Sequence, residues 1–567
     1  MRVVVDLTRC QGYGQCVFMA PEVFSMNGRE ALAYDPDPAE ERRESVLRAA
    51  AACPVQALHV DRVEAPAPGP DTDHDTGNNT GNNTGHATDP GAGTRSRSAP
   101  YAEAGLDGDR FRRHGRVVIV GASLAGLRAA AALRGEGFAG SLTLIGDEPG
   151  EPYDRPPLSK QVLTGQVPAR STALPRREDL DAEWLRGVPA TGLDLDARRV
   201  HLEDGRAIGF DRLLIATGTR ARPWPDEAEA ALDGVCTLRT AEDASRLRAR
   251  LTSGTGRVLV IGGGFTGSEI ASVCLELGRP VTVAERGPAP LAGALGGVIG
   301  AVAADLQRAH GVDLRCGVSV TALEGDGAGG GGRLCRAQLS DGTALEVDLA
   351  VAALGAVRNV EWLDGSGLAA GPWGVACDAG CRVFDINGLV TDDVFAAGDV
   401  ARLPHPVYEY QFLALEHWGS AVAQAEIAAH NMVNGQTRRW PHLSLPVFWS
   451  SQFGVEIKSV GVPTFADEVM ITQGEIKEHR FVAVYGYRGR ITAAITFDQG
   501  MWLEFYQGLI ERAAPFPPRF HTVDEPAAAR PVPAEVPDRV VATHGATVVV
   551  TGHDPAERRA WLVDRSR

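Results

Sequence analysis

Several hydrophobic rhythms follow one another along the chain. Residues 1–62 open with an apolar strand, Val3-Val4-Val5, and continue to a helical pattern from about Glu40 to Ala52. They read as a compact α+β unit. Residues 63–114 have no rhythm: Pro, Gly, Asp, Thr and Asn dominate, with a near-duplicate in Thr76-Gly77-Asn78-Asn79-Thr80-Gly81-Asn82-Asn83-Thr84. Nothing in that stretch can bury a core, so it is expected to be a flexible linker with an end-to-end distance of roughly 40 Å. From Arg116 apolar strands alternate with amphipathic helices, the pattern of a doubly wound parallel sheet, and the pattern restarts near Arg257. From Pro446 to about Arg512 short strands and one helix predict a smaller α+β domain. The end, 520–567, is rich in Ala, Pro, Val and charge; Thr547-Val548-Val549-Val550 is a candidate strand, and no function is read from it. The expected organisation is therefore 1–62, linker 63–114, a nucleotide domain built from 115–223 and 359–440, a second one at 224–358, a C-terminal domain at 441–519, and a tail at 520–567.

Length and charge narrow the classes. A chain of 567 residues is too long for one core. A formal charge of −16 argues against nucleic acid or an anionic membrane as a general partner. The N-terminus lacks a signal-peptide apolar region, and no apolar run reaches about 18 residues, so a cytoplasmic protein without a membrane span is expected. Nine cysteines in so long a chain do not make a disulfide scaffold.

Three of those cysteines stand apart. Cys10-Gln11-Gly12-Tyr13-Gly14-Gln15-Cys16 is followed by Cys53-Pro54. Iron–sulfur clusters need thiolates converging from a tight loop plus one from elsewhere, and Gly12 and Gly14 let the loop wrap. A bacterial ferredoxin run would place a cysteine at position 13, where this chain has Tyr13. Three thiolates suit a 3Fe-4S cluster, with a 4Fe-4S cluster carrying a non-cysteine ligand as the alternative. Zinc would want a fourth Cys or His, and His59 is the only nearby histidine. The segment, over roughly residues 1–60 and including Ala20-Pro21-Glu22-Val23-Phe24, resembles the small actinobacterial ferredoxins that serve cytochrome P-450 monooxygenases.

Two glycine-rich turns carry the dinucleotide chemistry. Val117-Val118-Ile119-Val120 runs into Gly121-Ala122-Ser123-Leu124-Ala125-Gly126, with Ser123 in place of the middle glycine. The following strand ends at Asp147 and Glu148, one of which can take the adenosine ribose hydroxyls. The second turn, Gly262-Gly263-Gly264-Phe265-Thr266-Gly267, is complete, and its second strand ends at Glu285. Helix N-termini and free amides receive a pyrophosphate in this arrangement. Two such turns imply two dinucleotides, and the natural pair is FAD and NAD(P)H. Glu285 favours NADH by bonding the ribose hydroxyls and repelling a 2′-phosphate; the adjacent Arg286 works the other way.

Further segments sharpen the picture: Pro152-Tyr153-Asp154-Arg155-Pro156-Pro157-Leu158-Ser159-Lys160, Leu214-Ile215-Ala216-Thr217-Gly218-Thr219, Val394-Phe395-Ala396-Ala397-Gly398-Asp399, Glu416-His417-Trp418 and Val447-Phe448-Trp449-Ser450-Ser451-Gln452. Together these closely resemble the putidaredoxin-reductase family, the oxygenase-coupled ferredoxin reductases of the glutathione-reductase fold, from about Arg116 to Pro517. The resemblance implies an α/β chain with two dinucleotide-binding domains, a C-terminal α+β domain and, at the front, a small α+β ferredoxin. It implies that Asp147, Arg155 and Lys160 line FAD, that Arg239 reaches it from a neighbouring strand, that Asp399 bonds the ribitol, and that Trp418 passes its backbone near the ring. It also implies that Glu269 points toward the nicotinamide and meets Lys160 near the flavin.

NAD(P)H yields two electrons as a hydride, a cluster accepts one at a time, and FAD mediates between them. No acid–base dyad or nucleophile is required. A disulfide reductase of the same fold would need a cysteine pair after the first fingerprint helix, and that segment has none; Cys377 and Cys381 lie elsewhere and are read as structural. The competing readings are a flavin-dependent NADH oxidase and a redox-sensing binding protein with little turnover. The expected acceptor is a cytochrome P-450.

Overall fold

The computed structural model describes residues 1–5, 15–27, 31–53, 57–60, 101–175, 180–254, 256–327, 332–518, 546–551 and 559–564. Strand Arg116–Val120 lies inside a six-stranded sheet, in the order 382–384, 390–396, 212–215, 116–120, 141–146, 183–186. Its pairings are parallel except for 382–384. Strands covered on both faces need continuous apolar runs, and Val117 to Val120 and Leu213 to Ile215 are all buried. A five-stranded, all-parallel sheet follows, in the order 235–236, 349–352, 258–261, 281–285, 313–316. The chain then returns to the first sheet, where Val390–Ala396 pairs with Arg212–Ile215.

Each first strand ends on a glycine in the left-handed region, Gly121 (φ 117°) and Gly262 (φ 106°). A Cβ at Gly126 or Gly267 would sit 1.9 or 2.0 Å from the carbonyl oxygen of Gly121 or Gly262. Only glycine lets helices Leu124–Gly135 and Phe265–Glu276 press so closely on their turns.

The C-terminal domain is an antiparallel sheet in the order 447–452, 455–461, 490–497, 480–487, 468–475. Its side chains alternate faces. Val482 and Val484 pack with Tyr506 and Ile510 of helix Leu503–Glu511, while Phe481 and Ala483 join the core of the second parallel sheet.

The front unit pairs Val3–Val5 antiparallel with Leu58–Val60 and carries helices Gln15–Met19 and Arg43–Ala52 and a hairpin, Phe24–Asn27 with Ala31–Tyr34. Two features depart from the sequence reading. Tyr101–His114 is a helix, so the linker expected over 63–114 stops short of that segment; residues 63–100 lie outside the described ones. Contacts anchor it where composition alone argued against order: the Phe111 ring lies 5.5 Å from Phe138, the Arg212 guanidinium 4.0 Å over Phe111, and Arg112 donates to Asn434 Oδ1 at 2.7 Å. Second, the candidate strand of the tail belongs to the front unit. Ala546–Thr551 pairs antiparallel with Ala31–Tyr34 and with Arg559–Asp564, giving a four-stranded sheet made from both ends of the chain. Among the described residues, no helix is long and apolar enough to cross a membrane.

Candidate functional site

A continuous cleft runs along the C-terminal edge of the first sheet. One part is lined by Gly121, Ser123, Asp147, Glu148 and Arg155, the other by Ser123, Asp154, Lys160, Glu269, Asp399 and Trp418. Asp147 is exposed, and its Oδ1 accepts the Glu148 amide at 3.0 Å. Glu148 is tied down: it accepts from Arg155 Nη2 at 2.7 Å and from the Tyr153 hydroxyl at 2.6 Å. Arg155 also donates to the Arg239 carbonyl at 2.8 Å. Arg239 pairs with Asp399 at 2.8 Å and donates to the Thr219 carbonyl. The two residues expected to reach a flavin from different strands thus hold one another in the cleft wall.

Lys160 and Glu269 come from different nucleotide domains and meet. The Lys160 ammonium donates to Glu269 Oε2 at 2.7 Å, Ser159 donates to the same oxygen at 2.5 Å, and Ser450 donates to Oε1 at 2.6 Å. Glu269 is 5 % exposed, and both its oxygens are engaged. Ser450, from the C-terminal domain, and Ser159 have no role that the sequence alone reveals. Buried serines become legible only once the carboxylate they serve is located.

Asp154 is equally inconspicuous in the sequence. It is fully buried, and its Oδ1 accepts the Trp418 indole N–H at 2.9 Å. Burial pushes the carboxyl up to about 7, against the Trp418 hydrogen bond and the Lys160 charge. Trp418 opens helix Trp418–Val433 and faces two ways, lining the cleft and meeting the Phe18 ring edge-on at 6.4 Å. Phe18 stands two residues after Cys16 in the same helix, and the Arg128 guanidinium covers it at 4.6 Å. No sequence signal marked Phe18. Of the candidate cluster ligands, Cys16 and Cys53 are half-buried, and Cys10 lies outside the described residues with Tyr13.

At the second fingerprint, Glu285 Oε2 accepts the Gly263 amide at 2.6 Å and Oε1 the Gly287 amide at 2.5 Å. Two backbone donors thus aim this carboxylate at the mouth of the turn. Gly264 caps the helix, and a Cβ there would meet open space. Cys377 and Cys381 are fully buried, and burial drives both thiols well above their ordinary range. That is the state of inert core thiols.

Residues 115–425 match the model of the pyridine nucleotide-disulphide oxidoreductases, more than half of the chain. The chain belongs to that family. Residues 5–60 match the 4Fe-4S single cluster domain of Ferredoxin I, and 447–528 the reductase C-terminal domain. Rhodocoxin reductase of Rhodococcus erythropolis is 35 % identical over 62 % of this chain and 79 % of its own length. Putidaredoxin reductase of Pseudomonas putida is 33 % identical over 68 % and 88 %. The covalent putidaredoxin reductase–putidaredoxin complex superimposes with a TM-score of 0.65 at 30 % identity, over 71 % of this chain and 94 % of that one. The protein is therefore a putidaredoxin-reductase-like ferredoxin reductase carrying a ferredoxin-like domain at its N-terminus, an oxidoreductase of electron transport.

The reductase's residues fit the dinucleotides this family implies. Both turns present glycines whose Cβ would strike backbone, so the chain leaves room at each helix N-terminus for a pyrophosphate to approach. Gly121, Ser123 and Gly126 with Asp147 and Arg155 are the residues that would hold FAD, and Gly262, Gly264, Gly267 and Glu285 those that would hold NAD.

Proposed function

We propose that this reductase passes electrons from NADH through FAD to a three-iron cluster held by Cys10, Cys16 and Cys53, and from there to an external cytochrome P-450 in the cytoplasm. Bound FAD supplies the exchange between paired and single electrons. The chain's residues supply the rest. Lys160 and Glu269 fix the wall of the cleft between the two nucleotide turns, Arg239 and Asp399 fix the opposite wall, and Glu285 selects the nicotinamide dinucleotide. The observation that carries the reading is the Trp418–Phe18 contact, which joins the cleft to the helix bearing Cys16. Electrons leaving the cleft meet the ferredoxin-like domain within the same molecule.

The test is NADH-dependent cytochrome c reduction, with ferricyanide as a control that draws electrons directly from the flavin. Phe18→Ala slows the first and spares the second; equal loss of both would overturn the route. Cys16→Ser is expected to remove the cluster and leave FAD bound. Tyr13 at the fourth ligand position supports three irons. Iron and sulfide analysis with paramagnetic resonance of the oxidised protein decides this, and an intact four-iron cluster in anaerobically prepared protein refutes it. Coupled turnover across a panel of cytochromes P-450 and dioxygenase components tests the acceptor, since relatives include reductases of dioxygenase systems.

A further inference from the structure

Asp154 differs from every other carboxylate of the cleft. Glu269 has both oxygens engaged by Ser159, Lys160 and Ser450. Asp399 is held by Arg239 at 2.8 Å and Glu416 by Arg358 at 3.2 Å. Glu148 is held by Arg155 and Tyr153. Asp154 is 2 % exposed, its amide donates to the Thr172 carbonyl at 2.7 Å, and its Oδ1 takes the Trp418 N–H. The side chain is thereby fixed, and Oδ2 stays buried without a partner among the described residues. A buried carboxylate oxygen without a donor is costly, and the cost falls when the oxygen carries a proton.

The charges around it do not remove that cost. Lys160 acts on Asp154 through space, but its ammonium is bound to Glu269. Arg155 and Arg239 are bound to Glu148 and Asp399. Trp418 and the Arg155 backbone amide are neutral donors to the carboxyl, and burial keeps the adjacent His417 unprotonated near neutral pH, its pKa lowered to about 4. Burial consequently dominates, and the carboxyl is lifted into the neutral range.

The reductase reaction generates a proton. NADH becomes NAD⁺, one proton and two electrons, and the electrons leave singly toward the cluster. We propose that Asp154 Oδ2 is the proton-exchanging group of that reaction: an O–H bond forms on the carboxylate, with a proton taken from water, while the electron pair occupies the cleft and its negative charge favours the neutral acid, and that bond breaks and the proton returns to water as the electrons depart. This rests on the reading of the cleft as the flavin site.

The experiment is a spectroelectrochemical titration of the flavin in the full-length holoenzyme between about pH 5 and pH 9. A carboxyl that binds a proton together with the electron pair predicts a midpoint potential that falls with one proton per two electrons on the acid side of its titration, where it is protonated in both redox states. On the alkaline side the potential falls with two protons per two electrons, because the carboxyl is then ionised before reduction and takes up a proton with the electrons. Asp154→Asn is expected to show the one-proton slope throughout, and Asp154→Glu to restore the break. In the oxidised-minus-reduced infrared difference spectrum, the carbonyl stretch of a protonated carboxyl is expected in the parent and absent from Asp154→Asn. If Asp154→Asn binds FAD poorly, Trp418→Phe serves instead: losing the donor to Oδ1 moves the break to higher pH. A break that persists in Asp154→Asn, or one absent from the parent, overturns the proposal. NADH-dependent ferricyanide reduction in each protein reports separately on the flavin-site reading, which fails only if the parent lacks that activity.

Discussion

Removing Glu269 tests whether the meeting of the two nucleotide domains is energetic or incidental. Glu269→Ala strands the Lys160 ammonium, which is only 17 % exposed and keeps a contact to the Pro156 carbonyl at 3.2 Å. Breaking a buried pair from one side costs about 3–5 kcal/mol. The partial exposure of Lys160 pulls toward the low end. Loss of the acceptor for Ser159 and Ser450 pulls back, at about 1 kcal/mol per hydroxyl. We therefore expect a loss of about 4 kcal/mol for Glu269→Ala. Removing both charges, as Lys160→Met with Glu269→Ala, leaves no stranded ion, so the double variant is expected to recover about 2–3 kcal/mol relative to the sum of the singles Lys160→Met and Glu269→Ala. Urea unfolding of the apoprotein followed by tryptophan fluorescence measures the cycle, and NADH-dependent bleaching of the flavin follows its functional side. Additive single effects, within about 0.5 kcal/mol, would refute the coupling and leave the 2.7 Å contact without energetic weight.

Glu285 is expected to give NADH a higher kcat/KM than NADPH, and Glu285→Ser to narrow the ratio by about tenfold, equivalent to ~1.4 kcal/mol; an unchanged ratio in that variant would mean Arg286 sets the preference. His442 has its pKa lowered from 6.5 to about 4, because burial and the neighbouring His405 disfavour its cation. The unfolded chain alone binds that proton between the two values, so stability falls as pH drops through this window, by up to ~3 kcal/mol, and His442→Gln is expected to flatten this part of a stability-versus-pH curve. Deleting residues 546–567 removes two of the four strands of the front sheet and is expected to release the cluster at a lower temperature while FAD content stays constant; unaltered cluster retention would show that the hairpin is dispensable.

What could be read without coordinates follows the range of the interaction. The glycine turns are local: strand, positive-φ glycine and helix lie within about ten residues, and their pattern survives in one dimension. Lys160 and Glu269 are 109 residues apart, and no periodicity links them; a family resemblance placed them together. Asp154 sits inside the Pro152–Lys160 motif without standing out, because a carboxylate between Tyr153 and Arg155 looks solvated until Trp418, 264 residues later, is seen to bond it. Phe18 read as one more apolar residue of a short helix. Composition extends the linker over Tyr101–His114 because that segment is polar and contains two glycines, whereas its order comes from Phe138, Arg212 and Asn434.

The pairing of Ala31–Tyr34 with Ala546–Thr551 was beyond any local reading, since its partners lie at opposite ends of the chain. It changes how the tether must be understood. A hairpin of two strands is marginal by itself, and its outer edge invites further pairing. Leu32, Ala33 and Tyr34 are buried in the front unit, so the edge the tail covers belongs to a structural strand. The ferredoxin-like domain is thus joined to the reductase by two covalent routes, one through residues 61–100 and one through 519–545. A single linker would let the domain swing with one end free. Two routes, added to the packing of Phe18 against Trp418 and Arg128, favour a domain that stays at the mouth of the cleft while it is reduced. On the proposed route, an external acceptor then meets either the face of the domain turned away from Trp418 or a domain whose contacts with the cleft have opened.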